Sequence, residues 1–424
     1  MDNTRTVLEI RANWRSIFLL LLIVWFLLSN AYHTAMNPSP GITGIDFQIY
    51  YDAANRLAKG EALYVLHPEG ATYVYPPPLA MLLQPLARLD YPQAMKLWFF
   101  ITALCLGGSV LLYSLAARFT WRDLVLAGIT IIVGFRFWPS TMNFSLGQVN
   151  FILLLIFSAI YLADSRRHLK TVALLIALAA LVKTWMLGLL LHLLLRRNWR
   201  AAFLGAAAYA ALLAGSFYAV GWREWPVFVK LTSGYANQSI GQIAATQSIT
   251  GFAYLHFSTN NLVEPLTVNP LIAHGFVALG LVLMLAGFLF VWRNPPPQPS
   301  YEARLHLGFV MLSLLLTLPM CQSEYFVLCL PLLWTLIAPR PVAGNERRLS
   351  FPVVAGSFAV YFLFTRAWPS APPIPEPYRH GVASLLVSVN FFAALALWLL
   401  TLHALRRARV EAPPAKVETP SHVP

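Results

Sequence analysis

The 424-residue sequence contains little charge, because Asp, Glu, Lys and Arg together make up only 11% of it. A soluble domain carries about 25% charged residues. Hydrophobic residues make up 58% of the chain. Such a chain could not cover its own surface in water, which excludes a soluble globular enzyme and a disordered protein. The composition therefore predicts an all-α integral membrane protein, folded as a polytopic helical bundle.

Cysteine is also scarce, and the three present are Cys105, Cys321 and Cys329. No pair of them has metal-ligand spacing, and three cysteines do not form a disulfide framework. The ten histidines show neither HxxxH nor HExxH spacing. The P-loop, GxGxxG and GxSxG motifs are missing as well. We therefore expect no cofactor, no metal centre and no nucleotide-binding machinery.

Positive charge is in excess, with a formal net charge of +13. The Lys and Arg residues cluster at the ends of apolar stretches, which is the pattern of the positive-inside rule. No nucleic-acid-binding motif accompanies the charge, so we expect membrane lipids as surroundings and no nucleic acid as a partner.

The apolar stretches predict about 10–12 membrane segments in one transmembrane domain, residues 1–405. A basic, Pro-rich tail, residues 406–424, is expected to be disordered and cytoplasmic. The first stretch is interpreted as an uncleaved span, because the rest of the chain is polytopic. The candidate spans are residues 16–35, 94–117, 124–138, 149–163, 201–220, 271–292, 305–319, 325–337, 351–365 and 382–405.

A further apolar stretch, residues 171–195, has basic clusters at both of its ends. As a single span it would place the two clusters on opposite sides of the membrane, against the charge bias that sets orientation. The conflict disappears if the chain folds back at Lys183. Each arm would then have about 12 residues and a length of about 18 Å, which suits a hairpin whose tip lies deep in the bilayer.

With that hairpin, the long polar connections fall on the external side, in residues 36–92, 221–270 and 366–381. Chemistry is therefore expected on the extracytoplasmic face. In the first of these loops, residues 45–59 have the apolar spacing of an amphipathic helix. A second short helix is predicted over residues 79–89. We expect the pair to form a lipid-facing platform in the membrane interface, with the aromatic side chains toward lipid.

Two ionisable residues stand out by their positions. Asp46 lies at the start of the first interfacial helix, where Thr43-x-x-Asp46 resembles a capping box. Its spacing is compatible either with that structural role or with a general base held at the interface. Lys183 interrupts an apolar run. Its ammonium could reach lipid headgroups, form a structural pair, or bind a phosphate.

Several amides and one carboxylate map to the same side of the membrane. Buried amides there could bind sugar hydroxyls, or could cap helices and join them to one another. Each residue alone is a weak signal, and it is their shared side that makes them candidates. They are Asn143, Gln148, Asn150, Asn237, Gln238 and Glu324.

Three motifs near the N-terminus form a recognisable series. They are Gly44-Ile45-Asp46-Phe47-x-x-Tyr50-Tyr51, Gly60-x-x-Leu63-Tyr64 and Tyr73-x-Tyr75-Pro76-Pro77. Later in the chain come Gly147-Gln148-Val149-Asn150, Lys183 and Asn237-Gln238-Ser239. With these motifs the chain resembles glycosyltransferase family 87, which comprises polyprenol-phosphate-dependent mannosyltransferases and their relatives of the GT-C class. The resemblance covers about residues 40–340.

The resemblance implies a GT-C-type bundle that transfers a hexose, mannose by analogy, from a polyprenyl-phosphate donor to a lipid or glycan acceptor. Asp46 aligns with the catalytic base of that family. A leaving phosphate needs nearby cations, so we expect Lys183 to bind the donor phosphate, with Arg136 as a second ligand and Arg223 or Arg366 as alternatives. Tyr50 and Tyr75 join the amides and Glu324 as expected substrate-binding residues. The expected location is the bacterial cytoplasmic membrane, with the active site outside.

This sequence departs from the family's pattern in two places. Thr184 follows the intramembrane lysine where many relatives have proline, and Glu324 lies in a turn where relatives often have histidine. Two other functions remain open at this point. A flippase or other transporter would pair its intramembrane charges around a midplane cavity. An inactive accessory protein of the same fold would bind lipid without turnover.

Overall fold

The computed structural model describes residues 44–65, 72–117, 137–238, 246–294, 301–337, 351–365 and 374–410. Throughout these residues the secondary structure is helical, and no strand occurs in them. This confirms the predicted all-α class. The α-helices are α1 Ile45–Ala58, α2 Pro77–Leu83, α3 Tyr91–Ala117, α4 Trp138–Leu146, α5 Asn150–Ser165, α6 Leu169–Val182, α7 Leu190–Leu195, α8 Trp199–Val220, α9 Glu224–Gln238, α10 Ile249–Phe257, α11 Pro270–Arg293, α12 Tyr301–Thr317, α13 Leu330–Ile337, α14 Phe351–Phe364 and α15 Val389–Val410.

Four helical stretches of the described chain are long and apolar enough to cross a membrane. They are Tyr91–Ala117, Trp199–Val220, Pro270–Arg293 and Gly381–Arg407, where the last combines a 3₁₀ segment with α15. Other apolar helices are shorter, which fits tilted or partly interfacial helices in a bundle. The predicted span 16–35 and nearly all of 124–138 lie outside the described residues. The molecule is therefore a polytopic membrane protein.

The chain reverses its direction at Lys183. Helix α6 ends at Val182, and Lys183 has an extended backbone with φ −134° and ψ 111°. A Cβ atom on Gly205 of α8 would lie 2.8 Å from Leu190 Cδ2 and 3.0 Å from Ala173 O. In one continuous helix residues 173 and 190 would be about 25 Å apart. The two arms must therefore run side by side.

The base of this hairpin is closed by an ion pair. Arg196, just after α7, places its Nη1 2.8 Å from Asp164 Oδ1, near the end of α5. Asp164 precedes Arg166 and Arg167, so the basic clusters on either side of the hairpin lie at the same end of the bundle. The hairpin predicted from the charge pattern is confirmed.

The segment predicted as the first external loop contains the helix expected at its start, but that helix faces a different environment. The second predicted helix, residues 79–89, is instead the shorter α2 followed by a 3₁₀ turn, Leu86–Arg88. Helix α1 covers nearly all of the predicted residues 45–59. Phe47 and Tyr50 are fully buried, and the Phe47 ring stacks on Trp98 of α3 at 5.3 Å between centroids. The expectation that the aromatic side chains face lipid was therefore wrong. Helical periodicity identifies an apolar face, but it does not say whether lipid or protein covers that face.

The second segment predicted to be external contains more helix than its polarity indicated. The loop of residues 221–270 contains α9 and α10. It contacts the first loop, because the Tyr64 backbone N–H donates to Glu224 Oε2 at 3.1 Å. At the other end of the chain, α15 extends to Val410. The first residues of the predicted tail are thus helical, since no Gly or Pro interrupts the helix before Pro413.

Candidate active site

The site is centred on the side chain of Gln148, which is 2% exposed. Gln148 Nε2 donates to Asp46 Oδ2 at 2.8 Å. Gln148 Oε1 accepts from the Tyr50 hydroxyl at 3.1 Å and from Lys183 Nζ at 3.4 Å. One amide therefore connects a carboxylate and a phenol of α1 with the ammonium of Lys183, which is far from α1 in the chain.

Two glycines allow α1 to approach this amide closely. Gly44 has φ +75° at the start of α1, and its backbone N–H donates to Ser145 O at 2.7 Å. Gly147 has φ +69°, and a Cβ there would lie 2.7 Å from Phe47 Cβ. The Trp98 indole N–H donates to Gly147 O at 2.7 Å and fixes the turn. Left-handed backbone and close contact both favour glycine here.

Asp46 points toward Gln148 instead of capping its own helix. The N-cap of α1 is Gly44, which has no side chain to complete a capping box, so that interpretation was wrong. The Asp46 carboxyl is partly buried. Burial raises its pKa from an ordinary 3.8 to about 6, while the Lys183 charge and the Gln148 hydrogen bond oppose the rise. At neutral pH the group is ionised but basic enough to accept a proton.

Lys183 lies at the tip of the hairpin with its side chain 4% exposed. Its Nζ is 3.8 Å from the centroid of the Tyr325 ring and 5.7 Å from that of Tyr75, within cation–π range. Among the described residues, no carboxylate oxygen lies within the 4.0 Å ion-pair distance of Nζ. The ammonium therefore faces the aromatic rings and the amide of the site, and it has no ion partner among the described residues.

Two tyrosines predicted as substrate-binding line the same site. The Tyr50 and Tyr75 hydroxyl oxygens lie 3.1 Å apart, at hydrogen-bond distance, and the two rings meet edge to face at 5.0 Å between centroids. The Tyr64 hydroxyl donates to Tyr75 O at 2.9 Å, which positions the segment before α2. Tyr75 thus lies between α1 and the Lys183 ammonium.

Asn143 and Asn150 are buried near the site, where they support the turn at residues 321–325. Asn143 Nδ2 donates to Glu324 O at 2.7 Å, and Asn150 Nδ2 lies 3.5 Å from the same oxygen. Their amide nitrogens thus make the interhelical contacts that the sequence left as one alternative. Glu324 is 3% exposed, and the Lys183 ammonium lies in the electrostatic field of both Glu324 and Asp46.

The other predicted residues are not brought into this cluster by the described chain. Arg136 lies outside the described residues. Asn237 and Gln238 are the last two residues of α9, and their side chains also lie outside the description. Sequence reasoning missed Tyr325, whose ring contacts Lys183 and stacks on Trp185 at 6.0 Å. The only available signal was an aromatic residue directly after Glu324.

The sequence model of glycosyltransferase family 87 matches residues 73–319 of the chain. No curated protein matches the chain. The matched residues make up more than half of the chain, which belongs to glycosyltransferase family 87. It is therefore a membrane glycosyltransferase, as the resemblance predicted. The match includes Gln148 and Lys183, whereas Asp46 and Glu324 lie just outside it.

Proposed function

We propose that this glycosyltransferase transfers a hexose, with mannose as the first sugar to test, from a polyprenyl-phosphate donor to a lipid or glycan acceptor. Asp46 is the general base, and Lys183 binds the donor phosphate. The observation that carries the proposal is the pairing of a carboxylate and an ammonium on the two ends of one buried amide, Gln148. Such a pair matches an acceptor hydroxyl on one side and a leaving phosphate on the other.

The base chemistry follows from the environment of Asp46. The acceptor hydroxyl attacks the anomeric carbon while Asp46 takes its proton, and the bond from that carbon to the phosphate oxygen breaks. A pKa of about 6 suits this role, because the carboxylate is deprotonated at pH 7 yet not too weak a base. Displacement at a β-linked mannosyl phosphate would invert the centre and give an α-mannoside.

The leaving phosphate needs positive charge at the place where negative charge develops. The buried ammonium of Lys183 supplies it, and in a water-poor site that interaction is stronger than in solution. The Tyr325 ring and the hairpin tip fix the ammonium before the donor arrives. Arg136 is proposed as a second phosphate ligand from the sequence alone. In a polyprenyl-phosphate sugar the lipid phosphate is itself the leaving group, so the enzyme needs no pocket for a nucleotide.

The proposed location is the bacterial cytoplasmic membrane, with the site on its outer face. The basic clusters beside Asp164 and Arg196 lie at one end of the hairpin, and Lys183 lies at the other. Since Lys and Arg favour the cytoplasmic side, the hairpin tip points outward. A lipid-linked donor would then approach the Lys183 ammonium laterally from the outer leaflet.

The direct test is to incubate the purified protein with a panel of polyprenyl-phosphate hexoses and a lipid acceptor extract. We expect one donor to be consumed, with its sugar recovered on an acceptor. A nucleotide sugar should not replace that donor. Transfer from a nucleotide sugar, or no transfer by a folded protein from any lipid-linked donor, would contradict the proposal. The second result would favour an inactive accessory protein.

A further inference from the structure

The turn that contains Glu324 is held in place by hydrogen bonds from three separate parts of the chain. The Gln247 backbone N–H donates to Cys321 O at 2.6 Å. Asn390 Nδ2 donates to Ser323 Oγ at 2.9 Å. Asn143 Nδ2 donates to Glu324 O at 2.7 Å. These contacts come from separate parts of the chain, so the position of residue 324 is fixed before any ligand binds.

One carboxylate oxygen of this residue is nevertheless left without a hydrogen-bond partner. Glu324 Oε1 is buried and has no hydrogen-bond partner among the described residues. No ion pair joins it to Lys183, although the ammonium lies in its electrostatic field. A buried acceptor without a partner costs free energy and calls for an explanation. An ionised carboxylate only accepts hydrogen bonds, so a ligand that satisfies it must supply a donor.

The chemistry of a glycosyltransferase limits that ligand. A phosphate would be repelled by the carboxylate, whereas a hexose carries several hydroxyl donors at fixed positions on a rigid ring. Lys183 Nζ lies 3.8 Å from the ring centroid of Tyr325, the residue that follows Glu324. A donor with its phosphate on the lysine therefore brings its sugar ring to the turn that carries the carboxylate. A hydrogen bond from a hydroxyl to an ionised carboxylate is stronger than one between two neutral groups.

We propose that Glu324 accepts a hydrogen bond from one hydroxyl of the transferred hexose, and thereby determines which sugar the enzyme uses. The proposal rests on the proposed function, because it takes a lipid-phosphate hexose as the donor. It assigns the two ends of that donor: the phosphate contacts Lys183, and the ring contacts Glu324. The turn is thus a sugar-specificity element beside the phosphate-binding ammonium.

The experiment compares the wild-type enzyme with Glu324→Gln, using the polyprenyl-phosphate hexose that the wild type turns over and that donor's singly deoxygenated analogues. We expect the wild type to lose about ten- to a hundredfold in kcat/KM on one analogue, since a hydrogen bond to a charged group is lost. Glu324→Gln should be impaired on the parent donor but lose little more on that same analogue. Glu324→Asp, which keeps the charge, is the second variant if Gln disturbs folding.

The matched control is Glu376→Gln, which changes an exposed carboxylate in a loop outside the site. It should keep the wild-type pattern of preference across all analogues. If every deoxygenation costs Glu324→Gln as much as it costs the wild type, Glu324 does not contact the sugar and this inference is overturned while the proposed function stands. If the wild type turns over no polyprenyl-phosphate hexose, the proposed function fails and this inference fails with it.

Discussion

The exchange of Asp46 for Asn separates catalysis from a structural role most directly. Asparagine keeps the shape of the side chain, and its Oδ1 can still accept from Gln148 Nε2 across the 2.8 Å contact. What it loses is the ability to take a proton. Removal of a general base lowers turnover by about 10²–10⁴. We therefore expect kcat to fall in that range, with donor binding largely preserved.

The effect on stability has a sign that the structure fixes. Because burial raises the Asp46 pKa from 3.8 to about 6, the ionised carboxylate is disfavoured in the folded state. Above about pH 6 the ionised carboxylate lowers the free energy of unfolding by roughly 3 kcal/mol at most. Below about pH 3 the group is protonated in both states and the penalty is absent. Asp46→Asn should therefore keep or raise the Tm at pH 7, and this difference should shrink as the pH falls from about 6 and be lost by about pH 3.

A capping residue would behave in the opposite way, since its loss costs about 1 kcal/mol and leaves activity intact. Turnover and Tm are measured on the same purified sample, with Asp52→Asn as the control. Asp52 is an exposed acid on the same helix, so its exchange should change neither quantity. The kcat/KM of the wild type should also fall as the pH drops through about 6. An active Asp46→Asn enzyme with a lowered Tm would mean that the base lies elsewhere.

Three further predictions concern phosphate binding, the turn beside the site, and topology. Lys183→Ala should lower kcat/KM for the donor about ten- to a hundredfold while the Tm shows a folded protein; unchanged donor kinetics would refute phosphate binding. Gly147→Ala places a Cβ 2.7 Å from Phe47 Cβ at φ +69°, so thermal unfolding should show a loss of at least about 1–2 kcal/mol; a Tm equal to wild type would contradict the close contact. In sealed cells an impermeant thiol reagent should label Glu61→Cys but not Asn198→Cys, and labelling of the latter would place the hairpin base outside.

The sequence alone determined the class of the protein and much of its local structure. Low charge and long apolar stretches require a membrane, and the period of α1 follows from residues close together in the chain. The break at Lys183 was also readable, because the two flanking basic clusters cannot lie on opposite sides of a bilayer without violating the charge bias. These features follow from local composition and from the positions of charges, which can be read directly from the sequence, together with general rules for chains in a bilayer.

Only the tertiary structure decided what the polar residues do. Gln148 could have been a cap, and nothing in its neighbours indicates that it joins Asp46 to Lys183. The side-chain amide of Asn143 is of a type that binds sugar hydroxyls, yet its nitrogen donates to the Glu324 backbone carbonyl. The aromatic face of α1 is buried because Phe47 packs on Trp98 of α3. Such contacts join residues far apart in the chain, and they depend on how the helices pack, which periodicity and composition do not encode.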